Sequence, residues 1–237
     1  MSFRVSVITL TPDAWPGALG VSLIGSALNT KKWTLETVDL RKFGQGKHAQ
    51  VDDTAAGGGA GMVIRADVAL KAVRSVEKHE RPIIYLTPRG KPLTQKRVRE
   101  LANNSGLILF CGRFEGLDER AIEIAEMEEI CVGDVILMGG DIAAQLLVEA
   151  TVRLRGGVLG NQQSTINESF EHGLLEHPLY TKPRDVEGLT IPETLLSGNH
   201  AQIESWKQSK ALEITKERRP ELITSPESDY SKPIKVV

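Results

Sequence analysis

The chain has 237 residues, 41% of them apolar and 25% charged, close to the average for globular proteins, which excludes a disordered, collagenous or disulfide-scaffold chain. Lys and Arg number 29 against 31 Asp and Glu, a net charge of −2, so no global basic field marks a nucleic-acid partner, and any such partner must be met by local patches. Cys111 and Cys131 lie in apolar segments with neither a disulfide framework nor metal-ligand spacing, which fits a reducing cytosol. Residues 1–10 lack the marks of a signal peptide, and Asp134 and Asp141 interrupt the longest apolar run, so a cytoplasmic chain with no membrane span is expected.

In chain order, residues 3–10, 33–40, 82–87, 107–111 and 130–137 read as strands, and residues 21–28, 68–76, 95–102, 118–125 and 142–154 read as helices with apolar residues near i, i+3 and i+4. This alternation predicts an α/β domain built on a parallel sheet with crossover helices. After Leu154 come Arg155-Gly-Gly-Val-Leu-Gly160 and a polar run over 161–169, which reads as a linker or a functional loop. The rest carries Pro178, Pro183 and Pro192 and then a helical stretch over 200–218, with Asn199 placed to cap it. A small, mostly helical second domain is expected, with seven Lys and Arg against five Asp and Glu over 207–237.

In an open parallel sheet, ligands sit beyond the carboxyl ends of the strands. Three turns there are rich in glycine: Tyr85-Leu-Thr-Pro-Arg-Gly90, Cys111-Gly-Arg-Phe-Glu-Gly116 and Val132-Gly-Asp-Val-Ile-Leu-Met-Gly-Gly-Asp141. The first strand ends in Thr11-Pro-Asp-Ala-Trp-Pro16 with no G-x-G-x-x-G, which excludes the usual dinucleotide layout and with it a dehydrogenase. Gly57-Gly-Gly-Ala-Gly61 lacks the Lys-Ser/Thr of a P-loop and reads either as a substrate-contacting lid or as a plain flexible connection. The five histidines show no metal-ligand spacing, so no protein-held metal site is expected.

The stretch from Cys111 to Arg120, followed by Val132-Gly-Asp-Val-Ile-Leu137, resembles the bacterial tRNA (guanine-N1)-methyltransferases of the TrmD type. Further motifs occur in that family's order: Val51-Asp-Asp, Gly57-Gly-Gly-Ala-Gly-Met62, Tyr85-Leu-Thr-Pro88, Gly157-Val-Leu-Gly160, Ser169-Phe, Tyr180-Thr-Lys-Pro183, Leu196-Ser-Gly-Asn-His-Ala201 and Arg218-Arg-Pro-Glu-Leu222. The resemblance implies an α/β SPOUT fold: a parallel sheet with a deep trefoil knot at its carboxy-terminal end, plus a small helical domain. It implies a catalytic and S-adenosylmethionine-binding domain over 1–160, a linker over 161–175 and a helical tRNA-binding domain over 176–237. The implied activity is methylation of N1 of guanosine 37 in tRNA, 3′ of the anticodon, by a homodimer with active sites at the subunit interface.

The same resemblance assigns roles residue by residue. Glu168, at the position of the family's catalytic Asp, becomes the general base for the N1 proton, and Arg153 the group that polarises O6. From the residues alone, a solvated linker carboxylate and a helix C-terminal arginine favoured by the helix dipole are the competing readings. Tyr85, Leu86, Thr87 and Pro88 would wall the adenosine, Gly112 and Glu115 would lie beside the ribose or methionine end, and Val132, Gly133, Asp134, Val135, Ile136 and Leu137, with Gly139 and Gly140, would supply backbone contacts. Val135, Met138 and Ala143 stand where the family commonly has Tyr, Ser and Pro. Glu115 is also where the family brings in magnesium as a candidate cofactor, although one carboxylate makes no metal site alone. The tRNA would be held by Asp52, Gly58, Gly59 and Arg113, by the linker, and by His200, Lys207, Lys210, Lys216, Arg218 and Arg219. A reading of another class, a catalytically inactive RNA-binding protein of the same fold, predicts RNA affinity without methyl transfer.

Overall fold

The computed structural model describes residues 2–160, 168–170 and 173–224. The chain folds as two compact units, Met1–Gly160 and Asn161–Val237.

The first unit is built on five strands: β1 (Phe3–Thr9), β2 (Trp33–Asp39), β5 (Ile83–Pro92), β6 (Gly106–Phe110) and β7 (Glu128–Cys131), all parallel, in the order β2-β1-β6-β5-β7. Two short strands, β3 (Asp52–Thr54) and β4 (Met62–Ile64), form a separate antiparallel hairpin. Side chains alternate across a strand, and the central strands are apolar on both faces. Phe3, Val5, Val7, Ile84, Leu86, Leu107 and Leu109 therefore join one core, and Ile8, Ile83, Tyr85, Ile108 and Phe110 join the other.

Helices cover both faces. Residues of α1 (Ser22–Asn29), α3 (Gln95–Ala102) and α5 (Asp141–Val152) enter the first core, and residues of α2 (Ala66–Ser75) and α4 (Glu119–Ala125) enter the second. Local chemistry sets their ends. Thr94 caps α3 by accepting the Arg97 amide at 3.2 Å, Asp118 caps α4 by accepting the Arg120 amide at 3.0 Å, and Glu126 ends α4 in the left-handed region.

Two departures from the expected strands shape the rim of the sheet. β7 ends at Cys131, not at Leu137: β5, the sole neighbour of this edge strand, ends at Pro92 opposite Cys131, and the apolar run that follows turns out, with Ile136 83% and Met138 91% exposed. β5 is longer than expected because it is interrupted. Leu86 and Lys91 both align with Ile130, which throws residues 87–90 out of the ladder. After β7 the chain crosses back over the carboxyl ends, and the Gly140 amide donates to the Gly112 carbonyl at 2.9 Å, so α5 starts beside β6 and packs against β1 and α3.

The second unit holds α6 (Glu193–Leu196), α7 (His200–Arg218), α8 (Glu221–Thr224) and a two-stranded hairpin of β8 (Asp185–Val186) and β9 (Leu189–Thr190). Asn199 caps α7 by accepting the Gln202 amide at 3.2 Å. Trp206 packs between the rings of His177 and Tyr180. The described part of the expected linker belongs to this unit: the Glu176 amide donates to Ser169 Oγ at 3.0 Å, the Phe170 amide donates to the Leu174 carbonyl at 2.7 Å, and the Arg219 guanidinium lies over the Phe170 ring. Residues 161–167 and 171–172 of that linker lie outside the described residues.

Candidate active site

Three segments at the carboxyl ends of β5, β6 and β7 enclose a cleft of about 260 Å³. Every residue expected to meet the cofactor lines it except Asp134: Tyr85, Leu86, Thr87 and Pro88 from the interruption of β5, Gly112 and Glu115 after β6, and Val132, Gly133, Val135, Ile136, Leu137, Gly139 and Gly140 after β7. Arg113, Phe114, Gly116, Ile130, Cys131, Met138 and Ala143 complete the lining.

The walls are fixed from behind. Arg89 leaves the 87–90 excursion to pair with Glu119 at 2.9 Å and Glu129 at 3.2 Å, while Gly90 lies so close to β7 that a Cβ would stand 2.5 Å from the Ile130 nitrogen. The Tyr85 ring is wedged edge-on to Phe110 and beneath the next turn, where a Cβ on Gly112 would stand 2.9 Å from its Cε2. Burial pushes the Tyr85 phenol above its ordinary pKa, so it stays neutral as part of the wall. Burial likewise pushes the Cys111 thiol well above its usual range, as fits a side chain packed wholly in the core.

Charge enters the cleft on two side chains. The Arg113 Nη2 donates to Asp141 Oδ2 at 3.2 Å and to Thr11 Oγ1 at 3.1 Å, and Asp141, buried at the start of α5, also accepts from Thr9 Oγ1 at 2.6 Å and Trp15 Nε1 at 3.0 Å. The Arg113 Nε is buried against Gly139 with no hydrogen-bond partner among the described residues. Glu115 is set by its own amide, which donates to the Met62 carbonyl at 2.9 Å, and by Gly61, where a Cβ would stand 2.6 Å from the carboxylate Oε1. An apolar pocket with one cationic and one anionic side chain suits a ligand that joins an aromatic base to a charged tail.

A family model described as tRNA (Guanine-1)-methyltransferase TrmD matches residues 3–225. The chain belongs to this family. Among relatives, the tRNA (guanine-N(1)-)-methyltransferases of Brucella ovis (strain ATCC 25840 / 63/290 / NCTC 10512) and of Brucella suis (strain ATCC 23445 / NCTC 10510) are each 56% identical to it over 220 residues, spanning 93% of this chain and 91% and 90% of theirs. For this TrmD-family chain the cleft fits S-adenosylmethionine: its walls are apolar, as a nucleoside requires, and at Gly133 no atom lies within 4 Å of where a Cβ would stand, so backbone is open to the cleft there. For magnesium the cleft offers, among the described residues, one carboxylate and no protein-built cage. Among the described residues no group of three His, Cys, Asp or Glu side chains converges to hold a metal ion, and Glu115 is a single carboxylate.

The other expected residues are spread over both units. Arg153 is the C-cap residue of α5, its amide donating to the Glu149 carbonyl at 3.0 Å, and is half-buried. Glu168 is half-buried in the second unit. Asp52 aligns with Ile64 across the β3–β4 hairpin, whose connecting loop carries Gly58 and Gly59 at positive φ with open space around them. His200 opens α7 and Arg218 ends it, both exposed. Lys207 pairs with Glu204 at 2.8 Å, Lys210 with Glu213 at 2.6 Å, and Arg219 with Glu221, so a phosphate would have to compete with each of these carboxylates. Asp141 escaped the sequence reading, where it only broke an apolar run; a lone acid among glycines and alanines at a helix start is the signal that marks it. Among the described residues no helix is long and apolar enough to cross a membrane.

Proposed function

We propose that this chain transfers the methyl group of S-adenosylmethionine to N1 of guanosine 37 in tRNA, a modification that supports reading-frame maintenance. The observation that carries the reading is the family match over residues 3–225 on a chain whose glycine turns enclose one cleft. When bound, S-adenosylmethionine supplies an electrophilic methyl group on a sulfonium centre.

The chain's own residues do the rest. The cleft walls hold the adenosine and keep water from the methyl group. Glu168 accepts the proton that N1 of guanine carries at neutral pH, and the Arg153 guanidinium holds the charge that develops on O6 as that proton leaves. Glu168 is one methylene longer than the family's Asp, while its reference pKa is only about 0.4 higher, so reach rather than basicity is what the substitution changes. A knotted path is supported by the chain's return from edge strand β7 to Gly112. A homodimer with sites at its interface is supported by the apolar side chains exposed beside the cleft, Val135, Ile136 and Met138 on the loop and Ile142 and Leu146 one turn apart on α5.

The roles are tested by Arg153→Ala and Glu168→Gln in the full chain. The first should lower turnover at least about 100-fold with S-adenosylmethionine affinity changed less than about threefold. The second should nearly abolish transfer while Glu168→Asp retains it. Losses confined to cofactor binding, or equal activity of the three Glu168 forms, would remove these residues from the chemistry. Activity regained on mixing Arg153→Ala and Glu168→Gln chains would mark a site shared by two subunits.

A further inference from the structure

We propose that residues 40–50 form a phosphate-binding surface that holds the tRNA backbone through Arg41, Lys42 and Lys47. The proposal deepens the tRNA reading above and rests on it. In a chain of net charge −2, these residues carry three cations and no carboxylate. All three side chains are exposed, and among the described residues none of them takes part in an ion pair, unlike Arg65, Arg89, Arg97 and Arg113 of the same unit.

Of the neighbouring acids, two are paired with Arg65, and Asp39 meets Arg41 through its backbone amide and not its guanidinium. Asp39 accepts the Arg41 amide at 2.9 Å, Asp53 is paired with Arg65 at 3.2 Å, and Asp67 is paired with Arg65 at 3.1 Å and bonded to the Gln45 amide group. The three cationic heads thus have no carboxylate in direct contact among the described residues and can meet an outside anion.

Their display is built rather than loose. Arg41 and Lys42 lie on the short 3-10 helix Leu40–Phe43, which is anchored because Leu40 is fully buried and Phe43 packs against the same core. Gln45 and Gln50 exchange both backbone hydrogen bonds, at 2.8 and 2.9 Å, and close a four-residue turn with Lys47 at its tip. A surface already ordered spends less entropy on binding.

Its place matches the cleft. All five strands are parallel, so the carboxyl end of β2, where this segment begins, lies on the same rim as those of β5, β6 and β7. β2 is two strand positions from β6, roughly 10 Å. The chain between is continuous in hydrogen bonds: the Arg65 amide donates to the Val51 carbonyl at 2.9 Å, β3 pairs with β4, and the Met62 carbonyl accepts the Glu115 amide at 2.9 Å. An RNA strand that delivers one base to the cleft can lay its phosphates along this rim, where Lys and Arg side chains set position without reading sequence.

The test is a Lys42→Glu/Lys47→Glu double variant of the full chain, compared with Lys31→Glu, a charge reversal just ahead of the amino end of β2. Unmodified tRNA transcript is titrated and turned over from about 50 to 200 mM salt. At about 0.1 M salt the double variant should raise Kd and KM for tRNA about tenfold and flatten the dependence of log Kd on log salt by roughly 0.7 to 0.9 for each phosphate no longer neutralised. The turnover number at saturating tRNA should hold within about twofold, and Lys31→Glu should leave all of these unchanged. An unchanged KM and salt slope, a fall in turnover number alone, or equal effects of the two variants would overturn the surface. Wild-type chain that binds tRNA without methylating it would instead fail the catalytic reading, and the salt slopes would still decide the surface.

Discussion

Arg113, which lines the cleft, meets the buried Asp141 at 3.2 Å, and through that pair the turn after β6 is tied to the first residue of α5. Asp141 also accepts from Thr9 and Trp15, so one buried carboxylate joins three segments that are distant in sequence. Removing one partner of a buried pair leaves the other uncompensated, at a cost of about 3 kcal/mol. Asp141→Ala should lower the unfolding free energy in urea by roughly that amount, and Asp141→Asn, which keeps an acceptor for Trp15, by about half as much. Values within about 0.5 kcal/mol of wild type for both would show that the carboxylate does not organise the cleft.

Gly140 is pressed against the end of β6. A Cβ there would stand 3.0 Å from Cys111 Cα and 3.1 Å from the Gly112 nitrogen, both backbone atoms that cannot swing aside. Gly140→Ala should shift the rim and weaken S-adenosylmethionine binding by about tenfold or more, as overpacking of this kind costs roughly 1–3 kcal/mol. Gly160→Ala, where a Cβ meets open space, should bind as wild type does. Calorimetric titration separates the two, and equal affinities would contradict the close fit of these turns around the cofactor.

The central strands were legible because β1, β5 and β6 carry short continuous apolar runs, buried on both faces, and α7 because Asn199 announces its start. What stayed hidden depends on tertiary partners. The apolar run after Cys131 has strand composition, but only the pairing reveals that β5, the one neighbour of β7, ends at Pro92 opposite Cys131. The 87–90 excursion becomes visible only once Leu86 and Lys91 are seen to share Ile130, and the β3–β4 hairpin is too short to stand out beside its glycine run. Positions on the cleft came from strand-end logic together with the family motifs, whereas Glu168 and Arg153 rest on the family motif alone.

The apolar face of α5 gives a further expectation. Ile142 and Leu146, one turn apart, are 68% and 48% exposed, and Ile136 and Met138 on the preceding loop are more exposed still, apolar surface of the kind that a second copy covers. On the proposed homodimer, Ile142→Asp/Leu146→Asp should shift the protein from dimer to monomer in sedimentation equilibrium at micromolar concentration, and methyl transfer should fall with it. A wild-type protein that sediments as a monomer with full activity would contradict the shared site.

The most direct measurement incubates the protein with methyl-labelled S-adenosylmethionine and an unmodified tRNA transcript carrying guanosine at position 37, beside one carrying adenosine there. Label in the first alone, recovered as N1-methylguanosine, is the predicted result. Label in neither transcript, with cofactor and tRNA still bound, would contradict the enzymatic account and leave an RNA-binding protein of the same fold.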